Sequence, residues 1–458
     1  MNRIHRCLTA LLLSAELAGC VPGGEKTEIT VGNLNFVTNS MTNTAEADAE
    51  RLVVKRFENK FPQIKVKPEE FSYTQDGFIA MAASRQLPMF FNTWFSESKR
   101  VAQAGFATDL TEEFEKYDLD DKMNPEIKKI ACVDGRYYGI PSETYCMGLQ
   151  INRELFRQAG LVDETGHALL PKTYDELAEF AKIIKEKTGK YGFGIPCYSR
   201  NGGWSFMNIA WSYGVTFMKC EQGKWIATFD SDECEKAFKY IYDLRWKYDV
   251  VPYQPEMILS VLKKMYADNE LAMFFSVGGN FDVCLDRENM NRDDIVMASV
   301  PEGPAGRKAL LGGTMYMISS DATPEQTDAC MKWAGASGYM PELDNQKIKA
   351  LKQKLEINSS KNYAIGCSSP DIWINPEWKE KRQEVYDKYI NVDIKNFEDY
   401  NNFSNVELIL EEPQNCQDLY GIIDDCLEEI LTDRDCNIRE IIRKANKNFQ
   451  ENYLDIVK

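Results

Sequence analysis

Segments apolar at every second residue alternate along this chain with segments apolar at every third or fourth, and that alternation restricts the fold more than any other feature. "EITVGNLNFV" reads as a strand, with Ile29, Val31, Leu34 and Phe36 apolar. "AEADAERLVVKRFENKF" follows as an amphipathic helix carrying Leu52, Val53, Phe57 and Phe61, and Pro62 stops it. "IKVKPEEF" is a second strand, "DGFIAMAASRQL" a second helix and "PMFFNTW" a third strand. The pattern resumes at "PKTYDELAEFAKIIKEKTGK", a helix with Thr173 as N-cap, Glu176 placed for a capping box and Gly189 near its end. "YGFGIP", "ELAMFFSVGG" and "DDIVMASVPEG" read as further strands, and "SDECEKAFKYIYDLRWKY" as another helix. "MYMISSDATPEQTDACMKWAG" is strand then helix, with Pro324 near the helix start. Strands alternating with helices predict an α/β fold with a largely parallel sheet. Beyond Tyr339 the chain turns mainly helical. At 458 residues, 44% of them hydrophobic, it holds two to three domains' worth of core.

The first residues obey a different logic. Arg3 and Arg6 precede a short apolar run, Cys7 to Ala15, and then Leu17-Ala18-Gly19-Cys20. A positive head, a run of this length and small residues at its end form a secretory signal pattern. The run is too short for a spanning helix, and Glu16 interrupts it. "LAGC" resembles the lipobox of bacterial lipoproteins, which implies cleavage before Cys20 and acylation of its thiol and new amino group. The alternative is an ordinary cleaved signal in which Cys20 is incidental. Residues 1–19 are therefore expected to be a lipoprotein signal peptide, and 20–27 an acylated cysteine with a Gly-rich tether.

Charge and composition exclude several functions. The net charge of −17 sets the chain against nucleic acid and anionic lipid. Of two histidines only His167 lies beyond the signal, in the polar loop "VDETGHALLPKT". Multi-histidine metal sites are excluded, and any histidine-based triad depends on one loop residue. The 13 cysteines include no C-x-x-C, and those beyond Cys20 are odd in number and scattered. They read as mostly free, buried thiols, with one or two disulfides left open. No metal and no cofactor is expected.

The order of segments resembles the extracellular solute-binding proteins of ABC-type importers, in particular the carbohydrate-binding group. The residues that carry it are "RLVVKRFENKFPQIKVK", "VAQAGFATDLT", "DGRYYGIPSETYCMGLQINRELFRQAGL", "LPKTYDEL" and "LGGTMYMISSDATPEQTDACMKWA", in this order behind the lipobox. In the third, "IN" stands where the family usually has "YN". The resemblance implies a two-lobed periplasmic-binding-protein-like fold with a hinge and an interlobe cleft, and closure of the lobes over a ligand. It places the crossings near 141–147, 288–294 and 337–345. Lobe one is then 28–143 plus 294–338. Lobe two is 144–293 plus 339–458, with a helical C-terminal extension.

A sugar presents hydroxyl edges and a flat C–H face, so its site needs aromatic plates and fixed polar groups. With the placements the resemblance implies, the ligand-binding candidates are Asn92 and Trp94 in "FFNTW", Glu143 and Tyr145 after "YYGIP", and Trp204 in "CYSRNGGWSFM". Asn280 and Phe281 follow "FFSVGG"; Gly313 and Thr314, beside Gly312, form a turn whose N–H groups can approach a ligand; Trp373 lies in "SSPDIWINPEW". Each aromatic has a plain packing alternative, and Trp211, Trp333 and Trp246 read as packing residues. The expected function is a binding protein rather than an enzyme: a monomeric, lipid-anchored surface protein that captures a mono- or oligosaccharide and hands it to ABC permease subunits. A ligand-presenting partner of a membrane sensor is the second reading, and an exported glycoside hydrolase the third. The 71 acidic residues make carboxylate pairs inevitable, so they discriminate nothing. No "GxSxG", "HExxH" or "GxxxxGK[ST]" is present.

Overall fold

The computed structural model describes residues 26–34, 36, 44–279, 281, 290–341 and 345–456. The signal-like segment, Cys20 and most of the tether lie outside the described residues, as does Asn280. The described strands are β1 (Thr27–Val31), β2 (Ile64–Pro68), β3 (Phe90–Trp94), β4 (Cys132–Val133), β5 (Arg136–Tyr137) and β6 (Gly139–Asn152). They continue with β7 (Met218–Glu221), β8 (Lys224–Ala227), β9 (Met273–Val277), β10 (Ile295–Ser299), β11 (Lys308–Ile318) and β12 (Glu407–Leu410). The main sheet runs β10-β6-β11-β3-β1-β2, with β9 also on β6 and β12 on β11; β4-β5 and β7-β8 are small hairpins. β1 lies parallel to β2 and β3, whereas β11 is antiparallel to β3 and β6, so the sheet is mixed rather than largely parallel.

Two hydrophobic cores flank this sheet, giving two lobes. The first gathers Ile29, Val31, Phe57, Phe90, Phe91, Ile140, Met317 and Trp333. The second gathers Leu149, Ile151, Phe193, Phe206, Phe238, Phe274, Val296 and Leu427. β6 and β11 belong to both. The first half of β6 pairs with β11, and its second half with β9 and β10. Along β6 the change of core falls between Ile140 and Cys146; along β11 it falls between Leu310 and Leu311.

That second change differs from the crossing expected near 288–294. β10 pairs with β6 from Ile295↔Asn152 to Ser299↔Gly148, which draws residues 295–310 into the second lobe. The C-terminal part is divided as well. Met340 and Trp373 pack into the first core; Leu355, Ile365 and Val385 form a small cluster of their own; most of 397–454 packs into the second, with Leu410 against the first.

Local signals account for most helix ends. Thr173 accepts from the Glu176 N–H at 3.2 Å, but the Glu176 carboxylate takes the Lys172 N–H, so only half the capping box forms. The full box is at Thr323 and Gln326, with Pro324 in the first turn. Gly189 ends its helix at φ +71°, the left-handed region glycine favours. Among the described residues the cysteines are free, and Cys146, Cys197, Cys234, Cys330, Cys416 and Cys426 are buried. Burial pushes the thiols of Cys146 and Cys330 up to about 12. No helix among the described residues is long and apolar enough to cross a membrane.

Candidate functional site

Between the two lobes lies a cavity of about 340 Å³, built from both lobes and from the crossings. On the lobe-one side Thr74 accepts from the Gly77 N–H and starts the helix Gln75–Ala83, which sets Gln75 and Asp76 at the cavity wall. β3 ends at Trp94, where the helix Phe95–Gln103 begins, so Trp94 and Ser96 reach the same wall. Trp94 is 36% exposed and stands edge-on to Tyr73, their centroids 5.1 Å apart.

The floor comes from the crossings. Tyr145 on β6 pairs opposite Gly312 on β11. A Cβ at Gly312 would lie 2.3 Å from Tyr145 Cζ, so the ring occupies the space that any other residue would fill. Glu411, just beyond β12, receives the Tyr420 hydroxyl at 2.9 Å. Burial pushes the Glu411 carboxyl up to about 7, against the lowering effect of that hydrogen bond. Glu412 rises to about 7 for the same reason, while accepting the Trp211 Nε1–H at 3.1 Å.

The lobe-two wall is a loop held by another helix. Ser199 and Arg200 take positive φ (58° and 65°) and lead into the helix Asn201–Tyr213, which carries Trp204. Arg200 supplies no side-chain cap to that helix. The cap comes from Asp424 on the helix Cys416–Thr432, whose Oδ1 accepts from Gly203 N at 2.8 Å and whose Oδ2 accepts from Arg200 N. Burial pushes the Asp424 carboxyl up to about 6 even so. The two helices meet backbone to backbone: a Cβ at Gly203 would lie 2.3 Å from Tyr420 Cα. This packing sets Trp204 edge-to-face with Tyr145, at 6.0 Å and 72°.

Two side-chain bridges cross the cavity mouth. Gln75 Nε2 donates to the Asp418 carboxylate at 3.3 and 3.2 Å, and Gln417 Nε2 donates to Ser96 Oγ at 3.0 Å. Gln75 is 7% exposed, and its buried Oε1 has no partner, so the wall contains an unpaired acceptor. Four aromatic residues, the amides of Gln75 and Gln417, a guanidinium and carboxyl groups around one small cavity provide for a polar ligand with an apolar face.

A family model described as bacterial extracellular solute-binding protein matches residues 53–372. The chain belongs to that family. A binding protein of Brucella abortus is 23% identical over 287 residues, which is 57% of this chain and 66% of the relative, so less than two thirds of that relative is spanned. The arabinooligosaccharide-binding protein of Halalkalibacterium halodurans is 23% identical over 57% of this chain and 56% of its own. Among solved structures, an ABC transporter solute-binding protein of Thermotoga lettingae, bound with alpha-D-tagatose, aligns at TM-score 0.67 and 21% identity, covering 92% of this chain and 98% of its own. That likeness shows the two-lobed fold.

Within this solute-binding protein the sequence candidates separate. Trp94, Tyr145 and Trp204 line the interlobe cavity. Asn92, Glu143 and Thr314 line a second cavity, of about 660 Å³. Phe281 is 1% exposed and packs against Phe397 in the second core, 6.0 Å between centroids, so it is a packing residue. Trp373 is 7% exposed in the first core, and its Nε1–H is taken by the Tyr339 carbonyl at 2.9 Å. Gly313 lies inside β11 and not in a turn. A Cβ there would meet Glu143 O at 2.3 Å and the Phe95 ring at 2.6 Å, so the bare backbone admits protein atoms. Gln75, Arg200, Glu411 and Gln417 are among the cavity residues that sequence reasoning missed. Arg200 adjoins the Gly-rich stretch already singled out. The other three carry no local signal.

Proposed function

We propose that this solute-binding protein captures a carbohydrate between Trp94, Tyr145 and Trp204, and that it does so by binding alone, with no covalent chemistry. The observation that carries the reading is the aromatic trio drawn from both lobes and a crossing strand around one interlobe cavity. The Halalkalibacterium relative, an arabinooligosaccharide-binding protein, and the Thermotoga structure, a tagatose complex, support it. In this reading Cys20 carries the lipid anchor, the protein works as a monomer on the outer face of the cell membrane, and the closed form docks on ABC permease subunits.

The test is a thermal-shift screen of residues 21–458 against mono- and oligosaccharides, with each ligand recovered afterwards. A ligand that binds only the native state raises the melting temperature by mass action. A selective shift with the sugar recovered intact is the expected outcome. Sugar consumed during the assay replaces the reading with a hydrolase, and no shift across the panel removes the carbohydrate assignment. In the same assay Trp204→Ala lowers affinity by about 1 kcal/mol or more while the fold remains intact.

A further inference from the structure

The two cavities share one face of the sheet. Asn92 and Trp94 are two residues apart on β3, and Glu143 and Tyr145 two residues apart on β6. Thr314 on β11 pairs with Trp94 on one side and Glu143 on the other. Residues two apart on a strand, and residues directly opposite in an antiparallel pair, project to the same face. The wall of the larger cavity therefore adjoins that of the smaller at a spacing of roughly 7 Å along each strand.

Each cavity also carries the same kind of unsatisfied group. Asn92 is 7% exposed and its Oδ1 has no partner, as is true of Gln75 Oε1 in the smaller cavity. A buried carbonyl oxygen without a donor is costly, and a turn of either side chain toward its cavity would let a ligand hydroxyl supply one. Across from the sheet, the larger cavity is walled by the helix Asn345–Ser360 and by Trp378 of the helix Pro376–Tyr386. Its lining mixes signs, with Glu50 and Glu143 beside Arg56, Lys347 and Lys354.

We infer that the ligand is an oligosaccharide rather than a monosaccharide, with one end between Tyr145 and Trp204 and the continuing chain in the larger cavity past Asn92 and Glu143. This rests on the carbohydrate reading above.

The experiment is calorimetric titration with malto-, arabino- and cello-oligosaccharides, each from monosaccharide to hexasaccharide. The wild-type protein is compared with Trp378→Ala, which opens the larger cavity, and Ala350→Trp, which fills it. In the series that binds, affinity rises about tenfold or more from monosaccharide to tetrasaccharide. Both variants weaken the tetrasaccharide about fivefold or more and leave the disaccharide within about twofold. Asn92→Ala does the same where it folds. Equal affinity for monosaccharide and tetrasaccharide, or variant effects independent of chain length, overturns the inference and leaves the carbohydrate reading standing. No binding of any sugar to the wild-type protein overturns both.

Discussion

Asp418→Ala separates closure of the cleft from the making of its wall. Asp418 does not line the interlobe cavity; it reaches across the mouth to Gln75 Nε2, at 3.3 and 3.2 Å. That bridge exists only when the lobes are together, so its loss is felt by the closed state and not by the open one. A hydrogen bond to a charged group contributes about 1.5–3 kcal/mol net, and partial exposure of Asp418 lowers this to about 1–2. Because ligand affinity includes the free energy of reaching the closed form, the dissociation constant rises about five- to thirtyfold. The fold changes less. Asp418 sits in the first turn of its helix, where a carboxylate contributes about 0.3–1 kcal/mol through the helix dipole. Calorimetry reads the affinity, thermal melting the stability, and small-angle scattering the ligand-free radius, which grows in the variant. Unchanged affinity together with an unchanged radius refutes the assignment of this bridge to closure.

Gly203→Ala forces a methyl group to 2.3 Å from Tyr420 Cα, and overpacking of this kind costs about 1–3 kcal/mol; a melting temperature within error of wild type refutes the close helix approach. Gly312→Ala drives the Tyr145 ring off β11 and weakens ligand binding about tenfold, read by titration, while the first core keeps its stability. The pH dependence has a defined sign. Glu412 titrates near 7 in the fold against an ordinary 4.5, so between those values the native state holds a proton that the unfolded chain has lost. This contribution to stability is complete below about 4.5 and is lost as pH rises through 7. Glu412→Gln, which keeps an acceptor for Trp211, flattens the fall in melting temperature between pH 5 and 7.5 by the equivalent of about 1–3 kcal/mol. An unaltered slope rules out Glu412 as its source.

Features written in consecutive residues were legible in the sequence. The helix from Tyr174 to Thr188 announces its cap, its apolar stripe and its terminal glycine within one stretch. The change of lobe inside β11 was not legible, because "KALLGGTMYMI" is apolar on both sides of Leu310 and Leu311. Which core each half joins depends on β6, β12 and β3, and those partners are specified elsewhere in the chain. The site divides in the same way. Trp204 was visible through its glycines, but the reason for them, a helix more than two hundred residues later, was not. Phe281, Trp373 and Trp94 look alike in sequence, each an aromatic near polar residues, and only their neighbours in the fold distinguish packing from exposure. Gln75 and Gln417 act as a pair with lobe-crossing partners, and no spacing rule joins them.

Tyr145 lies over Gly312, one residue from the point on β11 where the chain passes from one core to the other. In mechanical terms its ring sits at the fulcrum, while Gln75, Ser96, Gln417 and Asp418 sit on the arms. Rotation about a fulcrum leaves it almost in place and carries the arms through long arcs. In the proposed reading, Tyr145 then meets a ligand in nearly the same posture whether the jaws are apart or shut, and the arm residues report only the shut position. On that reading, initial recognition and final retention fall to different side chains, and an altered fulcrum changes what is admitted whereas altered arms change how long it stays.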